Sequence, residues 1–375
     1  MKAFIHTSEL DTGGYPDACP FNTRRAGKTR HTIIGMGLLD GKETVEIAPQ
    51  PLGEKELLKF HTAEYLAALQ QAQTGVFRPE FVDMGLGTPD CPVFDGMYDF
   101  CRLAAGGTVT AARLMLDGKA DVAFNPSGGF HHAAAGAAAG FCYINDIVLA
   151  ATELAAHGKR VAFVDLDVHH CDGVQVPFYE REDVLVVSIH ESGHTLFPGT
   201  GDVREIGAGK GRGFTVNLPL PVGTYDEIYE KAFREALLPV IKAYDADILI
   251  VELGMDSLAG DPLAHLHLTN NAPARILEWL MRLEKPILAT GGGGYNVQNT
   301  VRGWSLMWSI LCGEDQSADL MIGMGGVMLE NTDWSGGLRD RVLLSDAGMR
   351  SDVARQVNAQ IEWIKEHVFP LHGIL

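Results

Sequence analysis

The chain has 375 residues, with 30 Lys or Arg against 48 Asp or Glu, so its formal net charge is −18. A protein that binds a phosphate backbone needs clustered basic side chains, and no long basic run interrupts this acidic sequence. The charge therefore argues against nucleic acid as a partner and favours cationic partners. Hydrophobic residues make up 46% and charged residues 21%, a composition typical of a packed globular protein.

The sequence predicts a protein of the cytoplasm with no membrane partner. Its first residues, MKAFIHTSELDTGG, lack the charged and then apolar pattern of a secretory signal, and no apolar run approaches 18 residues. The cysteines are scattered without C-x-x-C pairs, so reduced thiols are expected and a cysteine zinc site is not. These cysteines are Cys19, Cys91, Cys101, Cys142, Cys171 and Cys312.

Short apolar runs alternate with longer segments of helical period, which predicts an α/β fold with a parallel sheet covered on both faces. The predicted strands are Ala3–His6, Asp121–Asn125, Arg160–Asp167, Val184–His190, Phe214–Leu218, Ile248–Leu253 and Pro286–Thr290, with further short strands allowed. The predicted helices are Glu54–Gln73, Phe94–Leu116, Asp146–His157, Asp226–Ala243, Ala272–Leu283, Val297–Leu311 and Ser351–His367. Because no linker or repeat divides the chain, we expect one domain over residues 1–375.

Ionisable residues follow four of the predicted strands, where the loops of a parallel sheet converge on one crevice. They are His131 and His132, then Asp165, Asp167, His169, His170 and Asp172, then Asp256, and finally Tyr295 after a run of four glycines. Any one of them has an ordinary structural explanation, but carboxylates and imidazoles buried together repel or stay unpaired unless hydrogen bonds or a cation organise them. The group as a whole therefore predicts a metal site.

The alternation Asp165-x-Asp167-x-His169 continues a predicted strand, so the three side chains are expected on one side. They supply two adjacent ligands and a supporting group, and Asp256 completes an Asp/His/Asp set that leaves a position open for water. Such an open set is typical of a catalytic zinc site, and its oxygen ligands also admit Fe(II) or Co(II).

With these residues the sequence resembles the histone deacetylase superfamily, and it is most similar to the class I enzymes. The superfamily includes bacterial acetoin-utilisation proteins and acetylpolyamine amidohydrolases. The resemblance runs from about Asp17 to Gly313 and implies an arginase-like α/β fold of three layers with eight central parallel strands. The motifs that carry it, in chain order, are DCPVFDGMYDFCRLAAGGTV, NPSGGFHHA, GFCYINDIVLA, DLDVHHCDGVQ, FPGTGD, IGAGKGRG, LGMDSLAGDPL and GGGGYN.

The resemblance implies a zinc-dependent amidohydrolase that removes acetyl groups from the side-chain amine of acetyl-lysine, and it assigns roles to matching residues. The implied metal ligands are Asp167, His169 and Asp256. The implied catalytic residues are the pair His131 and His132, backed by Asp165 and Asp172 respectively, and Tyr295. In this scheme His132 acts as general base and the Tyr295 hydroxyl as an oxyanion donor.

The resemblance also implies a narrow substrate channel and an internal exit pocket. The channel residues are the aromatic walls Phe141 and Phe197, the Gly140 carbonyl, Leu263 at the rim and the rim carboxylate Asp90. Arg25 matches the arginine of the acetate-exit pocket, with Arg24 as the alternative. The residues implied for a potassium ion are Asp165, Asp167, His169, Ser188 and Ile189, and those for a second such ion are Phe178, Arg181 and Val184.

Two residues depart from the class I pattern. Cys171 stands where most members have glycine, so a thiol is expected near the chemistry, where it either reacts with oxidants or packs. Pro262 replaces the basic residue that class I enzymes use for regulation by inositol phosphate and a corepressor. A stand-alone enzyme therefore fits better than one that depends on a complex.

Three rival functions stay open at this stage. A hydrolase of acetylpolyamines or other small acylated amines would use the same metal and Tyr295, although Leu263 stands where polyamine-selective relatives tend to carry an acidic gatekeeper. A module that binds acetylated ligands without cleaving them is disfavoured by the intact site. A ureohydrolase would need carboxylate bridges for two manganese ions, which the single D-x-D-x-H does not supply.

Overall fold

A computed structural model describes residues 1–41, 43–76, 78–314, 337–343 and 347–375. Eight strands form a single all-parallel sheet in the order β2-β1-β3-β8-β7-β4-β5-β6, which confirms the predicted fold class. The strands are β1 Lys2–Ile5, β2 Thr44–Ile47, β3 Val122–Asn125, β4 Val161–Asp165, β5 Val184–Glu191, β6 Thr215–Leu220, β7 Ile248–Glu252 and β8 Ile287–Thr290.

Helices follow the strands and cover the sheet. They are α1 Glu9–Thr12, α2 Arg25–Gly35, α3 Glu54–Leu57, α4 Ala63–Ala72, α5 Glu80–Asp83, α6 Met97–Leu116, α7 Asp146–Ala156, α8 Asp172–Phe178, α9 Asp226–Ala232, α10 Leu238–Tyr244, α11 Asn271–Met281, α12 Val297–Cys312 and α13 Ala347–His367. A π-helical turn, Phe233–Leu237, joins α9 to α10, and 3-10 turns lie at Gly209–Gly211 and Phe369–His372. In the described part of the chain, no helix is both long and apolar enough to cross a membrane.

Both faces of the sheet are buried in apolar cores. In β4, Ala162 and Val164 belong to one hydrophobic cluster and Val161 and Phe163 to the other, as expected for side chains that alternate between the two faces. Burial on both faces is why the central strands read as continuous apolar runs. The arrangement confirms the three layers that the resemblance implied.

At the carboxyl edge of the sheet the apolar runs give way to a row of polar residues in register. Asp165 of β4 lies opposite Ser188 of β5 and Glu252 of β7, and Glu252 lies opposite Thr290 of β8, which in turn lies opposite Asn125 of β3. All five side chains are inaccessible to solvent. Buried polar groups need partners, so this row marks the edge where the loops must supply them.

Several predicted elements differ in extent from those observed. The edge strand β2 and helix α2 were not predicted, because TVEI and RAGKTRHTIIG are polar and lack a clear apolar period. The predicted helix over 54–73 is two helices, separated by a turn in which Thr62 caps α4 by accepting a hydrogen bond from the Tyr65 amide. Strand β4 ends at Asp165, so Asp167 and His169 lie in the following loop, outside the alternation expected of a strand.

The prediction of a single domain over 1–375 stays a prediction, because residues 315–336 and 344–346 lie outside the described part.

The two-sided burial makes a quantitative prediction for β5. Leu185 is fully buried at the amino-terminal end of that strand, far along it from the polar edge. We expect Leu185→Ala to lower the free energy of unfolding by about 2–5 kcal/mol, because it leaves a cavity in a packed core. Leu58, with 43% of its surface exposed, is the matched control, and Leu58→Ala should stay within about 0.5 kcal/mol of wild type. Denaturant titration measures both, and equal effects would contradict the burial.

Candidate active site

Three side chains form a tight buried cluster beyond the carboxyl edge of the sheet. Asp167 and His169 come from the loop after β4, and Asp256 comes from the loop after β7. Their ligand atoms all lie within 4.8 Å of one another. His169 Nδ1 is 3.1 Å from both Asp167 Oδ1 and Asp256 Oδ2. The arrangement provides one nitrogen and two oxygen ligands, a set suited to a divalent cation.

Backbone amides fix the two carboxylates of this cluster. The Val168 amide donates to Asp256 Oδ1 at 3.0 Å, and the Gly293 amide donates to Asp167 Oδ2 at 2.6 Å. These bonds orient one oxygen of each carboxylate and leave the other directed at His169. The three groups are therefore held together by the fold itself.

The electrostatics of the cluster favour a positive charge there. Burial and the neighbouring Asp167 raise the pKa of Asp256 to about 7. Burial alone would lower the pKa of His169, but its contacts with Asp167 and Asp256 raise it to about 10. Two buried carboxylates repel each other unless a proton or a metal cation lies between them. The residues present therefore fit a bound cation.

The predicted histidine pair lies beside this cluster. His131 and His132 are almost fully buried, and their Nε2 atoms are 3.0 Å apart. His132 Nδ1 is 2.8 Å from Asp172 Oδ1, as the resemblance implied. Burial and the nearby His131 lower the pKa of His132 to about 4, so its neutral form prevails at neutral pH. A neutral imidazole with one nitrogen held by a carboxylate can accept a proton at the other.

Asp165 is not the nearest carboxylate to His131. His131 Nδ1 is 3.7 Å from Asp165 Oδ1, which is too long for a hydrogen bond, but 3.3 Å from Glu252 Oε1. Glu252 is fully buried, and neither of its oxygens has a hydrogen-bond partner among the described residues. Asp165 Oδ1 instead accepts from the Asp167 amide, and its Oδ2 accepts from the Ser188 hydroxyl at 2.8 Å.

Glu252 also changes the charge of His131. Burial alone would lower the pKa of His131, but the Glu252 and Asp165 carboxylates raise it well above its ordinary value. The sequence interpretation missed Glu252, although it ends the apolar run ILIVE just as Asp165 ends VAFVD. An acidic residue at the end of a buried strand was the pattern that could have revealed it.

Tyr295 follows a glycine loop that reaches into the cluster. A side chain at Gly293 would place its Cβ 1.9 Å from Asp256 Oδ2, so only glycine fits there. The Tyr295 amide donates to Asp261 Oδ2 at 2.7 Å, and its ring centroid lies 6.3 Å from that of His169. Burial and the Asp256 carboxylate raise the pKa of the Tyr295 hydroxyl well above its ordinary value, so it remains a neutral donor.

Arg25, and not Arg24, lies inside the protein behind this loop. Arg24 is exposed, whereas Arg25 is buried in a cavity lined in part by Phe21 and Trp304. Its Nη1 donates to the Gly294 carbonyl at 2.6 Å and its Nη2 to the Gly292 carbonyl at 3.0 Å. The guanidinium therefore holds the glycine loop that leads to Tyr295.

The two aromatic side chains that were predicted to wall the channel stand next to the cluster. The Phe197 ring centroid is 4.9 Å from that of His132, and the Phe141 ring centroid is 5.5 Å from that of Tyr295. Gly140 has a positive φ, and a Cβ there would come within 2.4 Å of His132, so the backbone can approach the site only as glycine. Phe197 is 46% exposed, so it faces solvent rather than packing in the core.

The residues predicted for the rim take part in hydrogen bonds. Asp90 Oδ2 accepts from the Gly140 amide at 3.0 Å, directly before Phe141 in the chain. The Leu263 amide donates to Asp261 Oδ1 at 3.0 Å, and Leu263 is partly exposed.

Cys171 is fully buried, and burial raises the pKa of its thiol well above the ordinary value. The packing role is therefore favoured for Cys171 over a reactive one.

Comparisons with known proteins agree with this geometry. A family model described as the histone deacetylase domain matches residues 19–311. The chain is 39% identical over 295 residues to Histone deacetylase 9 of Arabidopsis thaliana, which covers 78% of this chain and 68% of that protein. It is 37% identical over 305 residues to human Histone deacetylase 1, which covers 80% of this chain and 62% of that protein. The chain thus spans about two thirds of the length of these curated relatives.

Solved structures match almost the whole chain. The crystal structure of an HDAC homolog complexed with SAHA has a TM-score of 0.86 and 32% identity, and covers 97% of this chain and 99% of that one. The crystal structure of an HDAC homolog from Aquifex aeolicus has a TM-score of 0.85 and 31% identity, and covers 97% of this chain and 100% of that one.

The single parallel sheet with its buried Asp/His/Asp cluster defines a protein of the arginase and deacetylase fold. Within that fold, the chain belongs to the histone deacetylase family. This confirms the resemblance drawn from the motifs.

The close approach of Gly293 to Asp256 makes a testable prediction. We expect Gly293→Ala to weaken the binding of a divalent metal ion, with zinc as the probe, at least tenfold, roughly the effect of disturbing a group that supports a ligand, because the new methyl group displaces the Asp256 carboxylate. Gly136, where a Cβ would meet its nearest neighbour at 3.7 Å, is the matched control. Competition with a chromogenic chelator measures both affinities, and equal affinities would show that Asp256 does not hold the ion.

Proposed function

We propose that this protein is a zinc-dependent deacetylase that hydrolyses the side-chain amide of acetyl-lysine. The observation that carries the proposal is the Asp167, His169 and Asp256 cluster, which lies beside a hydrogen-bonded histidine pair and near the rings of Phe141 and Phe197. Membership of the histone deacetylase family supports the same chemistry.

Zinc fits the ligand set because one imidazole and two carboxylates are typical of catalytic sites that keep a position open. Fe(II) and Co(II) fit the same oxygen-rich set. When bound, the ion supplies Lewis acidity toward the acetyl carbonyl oxygen and the attacking water. The potassium ion implied by the family would be held by main-chain carbonyls at Asp165, Asp167, His169 and Ile189 together with the Ser188 hydroxyl.

The histidine pair moves the protons of the reaction. His132 is neutral, and its contact with Asp172 holds the proton on Nδ1. Its Nε2 can then take the proton of the attacking water as general base. The pair also returns a proton to the leaving amine, from His132 or from His131, whose neighbouring carboxylates favour the charged form.

Tyr295 stabilises the negative charge that develops on the acetyl oxygen. Its hydroxyl stays protonated, and a neutral donor aimed at an oxyanion in a site shielded from water lowers the barrier. Arg25 holds the preceding glycine loop through the Gly292 and Gly294 carbonyls, which fixes the position of Tyr295. The cavity around Arg25 is the proposed exit for acetate, whose charge the guanidinium favours.

The channel selects an acylated amine on an unbranched stem. Phe141 and Phe197 provide apolar walls for the four-carbon stem of lysine, and the Gly140 carbonyl accepts the substrate amide N–H. Asp90 and Leu263 lie at the rim, where the peptide backbone would pass. The net charge of −18 suits a cationic protein substrate and equally a polyamine, so an acetylpolyamine is the alternative substrate.

The proposal that His132 and Tyr295 take part in catalysis without binding the metal can be tested directly. His132→Ala should lower kcat on an acetyl-lysine peptide by about 10²–10⁴-fold, the usual contribution of a general base. Tyr295→Phe should lower it by about 10²–10³-fold, the usual effect of removing one oxyanion donor. Both variants should retain zinc, since neither residue is a ligand. Loss of zinc in either variant, or kcat close to that of wild type, would contradict these roles.

Metal binding should also stabilise the fold. Wild-type protein treated with chelator should gain about 2.7 kcal/mol of stability when free zinc is raised to 100 times its Kd, because the ion relieves the repulsion between Asp167 and Asp256. Asp256→Asn should lose most of this gain. Asp117→Asn, at a side chain that is 56% exposed, is the control that should keep it. Thermal unfolding with and without zinc measures the difference, and a full zinc response in Asp256→Asn would contradict the assignment.

A further inference from the structure

A buried carboxylate at the end of β5 has no part in the proposed chemistry. Glu191 is 1% exposed. Its amide donates to the Val168 carbonyl at 2.8 Å, so its backbone is anchored to the loop that carries His169. A buried ionised carboxylate is costly unless donors satisfy it, and the donors around Glu191 show what it holds.

The Glu191 carboxylate is contacted by two separate loops. The Thr195 hydroxyl lies 2.9 Å from Glu191 Oε1 and 3.0 Å from the Ser192 carbonyl oxygen. It donates to Oε1, because a carboxylate is a stronger acceptor than a neutral carbonyl. The His265 amide donates to Oε2 at 2.9 Å, and His265 Nδ1 donates to Oε1 at 3.0 Å. One carboxylate therefore bridges residues 192–201 and residues 258–268.

Each of these loops carries one residue of the proposed channel. Thr195 precedes Phe197 by two residues, and His265 follows Leu263 by two residues. The loop of Leu263 is tied on its other side to Tyr295, because Asp261 accepts hydrogen bonds from the amides of both. Glu191 thus completes a chain of contacts from Tyr295 through Leu263 to Phe197.

We infer that Glu191 is a positioning residue that sets the spacing between Phe197 and Leu263 and so determines how tightly the channel holds the substrate stem. This inference rests on the proposed function, since it assigns a role in substrate binding. Glu191 touches neither the metal ligands nor the histidine pair with its side chain. Its removal should therefore affect substrate binding more than the chemical step.

Glu191→Gln is the sharpest variant, because it keeps the length of the side chain. Glutamine offers one acceptor oxygen to three donors, and its amide group would face a donor. We expect KM for an acetyl-lysine peptide to rise about tenfold, the effect of losing about one hydrogen bond, with kcat changed less than about threefold. Glu362→Gln, at a side chain that is 71% exposed, is the matched control and should leave both constants unchanged.

Amide hydrogen exchange gives a readout that does not depend on turnover. In Glu191→Gln, exchange should accelerate in residues 192–201 and in residues 258–268 together, while zinc content stays at the wild-type level. If this variant does not fold, Thr195→Val and His265→Ala can be used instead. Each removes one side-chain donor to the Glu191 carboxylate and leaves Glu191 itself in place. Each should then raise KM and accelerate exchange in both loops, because the shared acceptor couples them.

The possible outcomes separate the inference from the proposed function. If wild-type protein hydrolyses the peptide, but KM and loop exchange are unchanged in the variants, then the role of Glu191 alone is overturned. A fall in kcat or in zinc content at constant KM would also overturn it, since it would place Glu191 in support of the ligand loop. Zinc-loaded wild-type protein that hydrolyses no acylated amine would overturn the proposed function, and this inference with it.

Discussion

A concentration of buried carboxyl groups at the carboxyl edge of the sheet is the constraint on which the rest of the structure depends. Asp165, Asp167, Glu252 and Asp256 are all inaccessible or nearly so, and they lie on or after two neighbouring strands. No Lys or Arg forms an ion pair with any of them among the described residues. Backbone amides and imidazoles balance part of the charge, and a cation would balance more of it. Asp167, His169 and Asp256 are the residues that we propose hold this cation.

The parallel sheet creates this concentration of charge because it ends all its strands at one edge. The apolar cores on its two faces exclude water from that edge, so each contact there acts in a medium of low polarity. The same exclusion keeps Tyr295 protonated and His132 neutral. One feature of the fold thus shapes both the proposed ligands and the groups that we propose move protons.

The sequence predicted the fold class correctly, and it singled out residues that the structure brings together at one edge of the sheet, because both depend on strong patterns. Strands buried on both faces read as continuous apolar runs, and His131, Asp167 and Tyr295 each break the pattern soon after such a run. Residues whose role depends only on their contacts in the folded protein were harder to predict. Glu191 and Glu252 end their strands as ordinary acidic residues, and only their buried partners reveal a role. The pairing of His131 with Asp165 stays a prediction, and the closer approach of Glu252 to His131 could not be foreseen because it depends on neighbouring strands.

We propose that a cation held in this cluster serves amide hydrolysis at the end of a channel shaped for an acylated amine. Acetate release would be measured for wild-type protein, stripped by chelator and reconstituted with zinc, from an acetyl-lysine peptide and an acetylated polyamine in parallel. We expect zinc-dependent release that is faster from the peptide. Faster release from the polyamine would move the substrate to small amines, and protein that binds zinc but releases acetate from neither would rule out the proposed hydrolysis.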